Sequence, residues 1–184
     1  MSHHLVIATV TETLAQIVRD AVQPLVPGVE VTTGVPGREE QTGAARVNIV
    51  LYQTLPNAAF RNARTPAAPG ADAAPTRHQL ALHLNYLVSF HGAVERLVAQ
   101  QLLALTVMAF HANATIGREH IQRAITAAHS GYLDGSDLAE QQPIITLSAL
   151  GLSLDELVKV CALTQQAPFA PAIAYQCSVV LRGG

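Results

Sequence analysis

From Leu80 to His91 the chain alternates with a period of two: Leu80, Leu82, Leu84, Tyr86, Val88 and Phe90 on one side, Ala81, His83, Asn85, Ser89 and His91 on the other. Leu87 is the one exception. A helix cannot present such a run coherently, because successive side chains oppose each other only in an extended chain. A strand this long, half apolar and half polar, predicts an antiparallel sheet with one face packed on helices. Arg46–Thr54 repeats the pattern, with Val47, Ile49 and Leu51 opposed to Asn48, Val50 and Tyr52. Pro56 stops that ladder, since it has no N–H to donate.

The rest of the chain falls around these strands. Residues 5–23 predict a helix whose buried stripe is Ile7, Val10, Leu14, Ile17, Val18 and Ala21, with Thr11, Glu12, Gln16, Arg19 and Asp20 outside it. Val29–Thr33 predicts a short strand. A long helix starting near Val94 carries an apolar stripe wide enough to suggest burial on more than one side. A weaker helix follows at 118–128, and Ile144–Leu150 reads as a strand. Ser153 and Glu156 have the spacing of a capping box, so a helix begins there and runs to Leu163. Ala172–Leu181 alternates as the last strand. Glycine and proline leave the stretches 34–45 and 63–77 as mobile loops within a single domain spanning 1–184, and Ser130–Gln142 also reads as loop. The order αβββααβαβ predicts an α+β fold, a mixed and mainly antiparallel sheet with helices on one face.

Composition narrows the function. Charged residues are 13% of the 184, against roughly 25% in an ordinary soluble domain, so much of the exterior is expected to be covered by other copies of the chain. A net charge of −2 and 4% aromatic residues give no footprint for nucleic acid. The apolar run Leu97–Phe110 is broken by Gln100 and Gln101 and is too short to cross a membrane. The start, MSHHLVIATV, lacks the basic segment and cleavage site of a secretory signal, which predicts synthesis in the cytoplasm. Cys161 and Cys177 are expected to be reduced core residues.

Catalytic signatures are missing. The histidines lack H-x₃-H or H-E-x-x-H spacing, so no metal site is expected, and no phosphate-binding glycine loop or nucleophile elbow occurs. Asp155-Glu156 serves a helix start, where negative charge is favourable. No cofactor is expected. One alternative remains: a small ligand-binding or enzyme domain using His83, Asn85, Ser89 and His91, which share a strand face.

Four segments in order carry a family likeness: the N-terminal amphipathic helix, the strand and turn NIVLYQTLPNAAFRN, the strand LALHLNYLVSFHG before a Leu-rich helix, and the ending LSLDELVKV…PF…AIAYQCSVVL. Together, from about Ile7 to Leu181, they resemble the N-terminal domain of the tail-terminator or cap proteins of phage-tail-like contractile injection systems. The resemblance implies a structural protein with no enzyme activity. It implies a ring, taken to be sixfold, on the end of tube and sheath distal to the baseplate. Its partners would be further copies and the tube and sheath proteins of a particle assembled in the cytoplasm and released with it. Tyr52, Gln53, Pro56, Asn57, Arg61 and Asn62 match the family's strand and turn and are the expected partner interface. Leu152–Leu157 and Ala174–Val180 match its C-terminal helix start and closing strand.

Overall fold

A computed structural model of the chain describes residues 3–35, 44–58, 79–128, 131–141, 143–163 and 170–182. Among these residues six strands, β1 (Glu30–Thr33), β2 (Arg46–Pro56), β3 (Gln79–His91), β4 (Thr115–Ile116), β5 (Ile144–Leu150) and β6 (Ala172–Arg182), form one sheet in the order β1-β2-β3-β6-β5-β4. Only β1 and β2 run parallel; every other pair is antiparallel, as the sequence predicts. Among the described residues four helices accompany it: α1 (Val6–Val22), α2 (Val98–Ala112), α3 (Arg118–Ala127) and α4 (Leu154–Leu163). None of them is long and apolar enough to cross a membrane. The predicted mobile loop 63–77 and most of 34–45 lie outside the described residues.

The core lies between one sheet face and the helices α1 to α3. Val10, Leu14 and Val18 from α1, Leu102 and Phe110 from α2, and Ile121 from α3 meet Val47, Ile49, Leu84, Tyr86, Val88 and Phe90 from the sheet, all nearly inaccessible. The rings of Phe110 and Tyr175 meet edge to face with centroids 4.8 Å apart, the arrangement aromatic quadrupoles favour. His120 fastens the α2–α3 junction. Its Nδ1 accepts the Gly117 N–H, so Nε2 carries the proton and donates to Asn113 Oδ1 at 2.9 Å.

Four expectations need correction. The second sheet face is not a solvated one: Asn48, Asn85, Leu87 and Ser89 are buried, as is every residue from Arg46 to Val50. Glu12 lies inside, 6% exposed, because Arg19 one face along α1 neutralises it at 2.6 Å. The helix predicted from Val94 begins at Val98, after a 3-10 turn (Val94–Arg96) and a left-handed Leu97 with φ 52°. Its wide apolar stripe is covered on one side only, since Leu102, Thr106 and Phe110 are buried while Met108 is 70% exposed. The stretch read as loop at 130–142 consists of turns in its described residues, as expected, and it contributes Leu133, Leu138 and Ala139 to the interior.

Candidate partner interface

The expected interface residues sit where β2 outruns its neighbour. The β1 pairing stops at Thr33 opposite Ile49, so among the described residues β2 has no outer partner beyond that point. Gln53, Thr54, Leu55 and Pro56 are all exposed. Two devices keep this edge from indiscriminate pairing. The register with β3 slips between Leu51 and Gln53, a bulge that places Tyr52 out of line, and Pro56 ends the strand without a donor. Asn57 then turns inward, and its backbone N–H donates to Ala81 O at 2.9 Å. Arg61 and Asn62 lie outside the described residues.

Behind this edge the second sheet face carries a row of amides. Asn85 Nδ2 donates to Gln53 Oε1 at 3.0 Å, and Gln176 Nε2 donates to Asn85 Oδ1 at 3.1 Å. The row crosses β2, β3 and β6 in register, with Ser148 of β5 next in line. It holds the exposed Gln53 side chain to a central strand. The half-buried Tyr52 phenol has its pKa raised, first by loss of water and then by the Glu156 carboxylate, so α4 comes near β2 on leaving β5.

His83, Asn85, Ser89 and His91 do not converge on a site. His83 Nδ1 is 2.8 Å from Ser178 Oγ, Asn85 belongs to the amide row, and Ser89 Oγ is 3.2 Å from His91 Nε2. Each of the four has a local hydrogen-bond partner. Among the described residues, no three His, Cys, Asp or Glu side chains are placed to hold a metal. Cys177 is buried, with its thiol pushed up to about 12 by the surrounding apolar groups, the environment of an inert thiol.

A second polar assembly was hidden in the sequence. Glu12, paired with Arg19, also accepts the Tyr132 hydroxyl at 3.0 Å. Loss of water and the neighbouring Glu12 push the Tyr132 phenol up to about 12. These groups border an open depression of about 300 Å³ lined also by Thr11, Thr33, Val35 and Leu51, beside the bare edge of β2. The only sequence signal was a Glu–Arg spacing of seven on α1, which brings both to one side after two turns. The Tyr132 partner, 120 residues away, left none.

Comparison with known proteins follows the geometry. The family model of the Pvc16 N-terminal domain matches residues 9–184. Among solved structures, the chain is similar to the PVC sheath/tube terminator of an extracellular contractile injection system in its extended state, with TM-score 0.62 and 16% identity. That match covers 97% of this chain and 57% of the other. It is also similar to the tube-terminating cap of the anti-feeding prophage, with TM-score 0.60 and 14% identity over 95% of this chain and 54% of that one. The chain thus spans little more than half the length of either structure. No curated protein matches it in sequence.

Proposed function

Because the chain belongs to the Pvc16 N-terminal domain family, we propose that it is a structural cap. A ring of identical copies, six in number, seats on the distal end of the tube and sheath of a contractile injection system, ends their elongation and stabilises the particle. The observation that carries this reading is the fold shared with two terminators over at least 95% of the chain. The mechanism is geometric. A growing tube offers the same interface after each layer, and growth ends when a ring occupies that interface without regenerating it. Such a ring needs no catalysis.

Copies meet around the ring through the bare end of β2, where Tyr52, Gln53, Pro56 and Asn57, followed in sequence by Arg61 and Asn62, form the contact. The amide row stiffens that edge, so a neighbour docks on a surface already ordered, which lowers the entropic cost of association. Assembly takes place in the cytoplasm, and the cap leaves the cell with its particle.

Light scattering on the eluting protein distinguishes a ring from a monomer. Particles assembled in cells lacking the protein are expected to vary in length and shed sheath; particles of normal length and stability there would overturn the reading.

A further inference from the structure

The sheet has a second bare edge. β4 covers β5 only at Ile145 and Thr146, and Leu147 N–H donates to Ala114 O at 2.8 Å. Among the described residues, no strand lies outside Ser148, Ala149 and Leu150. Ser148 and Ala149 are exposed. This edge and the bare end of β2 stand on opposite flanks of the sheet, and the pairing between them puts both on one level. Leu51 is opposite Tyr86, Tyr86 opposite Tyr175, and Tyr175 opposite Ala149. Gln53, Asn85, Gln176 and Ser148 make the next row.

The two edges complement each other in direction, hydrogen bonding and length. β2, β3, β6 and β5 alternate in direction, so β2 and β5 run opposite ways. A rotation about an axis along the strands preserves this, and β2 of one copy meets β5 of the next as an antiparallel pair. Gly34 N–H donates to Ile49 O at 3.1 Å on the outer side of β2, and the strand period of two turns the Leu51 backbone outward as well. The Leu147 bond does the same for Ala149 on β5. Asn57 N–H bonds inward to Ala81 O, so by the same period Gln53 faces inward, as Ser148 does beside Leu147. Leu51 and Ala149 can therefore exchange a pair of bonds, with Gln53 and Ser148 as the closer, unbonded pair beside them.

The lengths also fit. β5 ends at Leu150, level with Val50, and β1 ends opposite Ile49, so a β5 laid along β2 stops where β1 takes over. At the other end Pro56 is level with Ile145, and β2 runs out of donors where β4 covers β5. The open depression of about 300 Å³ beside Val50 and Leu51 leaves space for the added strand.

Resting on the cap reading, we infer that neighbouring copies in the ring join edge to edge, β2 of one pairing antiparallel with β5 of the next, Leu51 opposite Ala149 and Gln53 opposite Ser148. A ring contact needs two different patches on opposite flanks, and a slide between them would climb into a helical filament. Level edges have no slide, so the contact closes. The amide row then passes from copy to copy, because Gln53 spends its oxygen on Asn85 and keeps its N–H groups for Ser148 Oγ.

The test places Gln53→Cys and Ser148→Cys, separately and together, in a chain whose half-buried Cys161 is replaced by Cys161→Ser; Cys177 is buried. Facing residues of an unbonded antiparallel pair have Cα atoms about 4.5 Å apart, within disulfide range. Under mild oxidation the double variant is expected to give a ladder of covalent oligomers ending at the ring. The two single variants, assembled together, should give covalent dimers, and neither should crosslink alone. Rings of native size that give no ladder overturn the pairing and leave the cap reading standing. Dimers from Gln53→Cys alone also overturn it, because β2 then meets β2. An unmodified protein that forms no ring, free or on tube ends, defeats the cap reading itself.

Discussion

Tyr86 donates its hydroxyl to Thr11 across 2.9 Å, and the direction follows from the other bond at the same oxygen. Thr11 Oγ1 gives its hydrogen to Ile7 O at 3.0 Å, so it can only accept from Tyr86. Thr9 repeats the arrangement, donating to Leu5 O and accepting from Ser136 Oγ at 2.8 Å. Thr13 donates to Thr9 O at 2.7 Å. Threonines that bond back along their own helix normally weaken it slightly. Here they turn α1 into a row of acceptors that fixes both the central strand and the 131–141 segment.

Tyr86→Phe removes one buried hydrogen bond and is expected to cost about 1 kcal/mol, read as a shift in the denaturant midpoint. It should also change the alkaline limb. Burial raises the Tyr86 phenol above its usual 10.0, and the half-exposed Tyr132 is raised in the same direction. Above pH 10 the unfolded chain therefore loses these protons first, and stability falls as pH rises. Titrating stability from pH 9 to 11 should give a shallower decline in Tyr86→Phe than in the native protein.

The Glu12–Arg19 pair predicts an asymmetry. Arg19→Ala leaves a carboxylate, 8% exposed as a side chain, with Tyr132 as its remaining donor. The expected loss is about 3 kcal/mol. Replacing both members with apolar residues, Glu12→Leu and Arg19→Met, should recover most of it, because no charge is then stranded. Thermal denaturation of Glu12→Leu, Arg19→Met and the double variant, beside Arg19→Ala, checks this non-additivity.

Removing the centre of the amide row should loosen the edge more than the core. Asn85→Ala leaves Gln53 and Gln176 without their shared partner, while the adjoining Leu84 and Tyr86 stay packed on α1. A global loss of about 1–2 kcal/mol is expected. Hydrogen exchange should quicken at 53–55 well before it does at 47–49.

An acid-sensitive helix start is expected at α4. Ser153 N–H and Oγ–H both donate to Glu156 Oε2, at 2.9 and 2.7 Å, and the Glu156 N–H returns a bond to Ser153 Oγ at 3.3 Å. The side-chain and backbone bonds from Ser153 hold the Glu156 carboxyl below its usual 4.5. A lowered carboxylate pKa contributes stability that is complete above about 4.5 and disappears as pH falls through the folded value. The protection of the Glu156 and Leu157 amides relative to an unstructured chain at the same pH should fall below pH 4.5, and Ser153→Ala should remove that dependence.

What the sequence made legible was whatever one element decides by itself. The α1 stripe, the β3 alternation and the Ser153–Glu156 box depend on spacings of two, three or four residues, and the structure has each of them. The family likeness was also carried by such local segments in order. Glu12 and the width of the α2 stripe were misread for the opposite reason. Whether Glu12 turns inward depends on Arg19 and on Tyr132, 120 residues on, and whether Met108 is covered depends on which elements pack where. The β2 edge residues were legible as a strand and turn, but the bulge at Tyr52 and the early end of β1 that expose them belong to pairing, which a single strand does not encode.

The placement of β6 has a consequence for synthesis. The last strand of the described chain lies between β3 and β5 in the middle of the sheet. Until residues 172–182 emerge from the ribosome, the β1-β2-β3 and β4-β5 ladders are two unjoined halves with raw edges. The sheet then closes in one late step across distant parts of the sequence, a slow kind of closure. A chain that lacks residues 172–182 is thus denied the joined sheet.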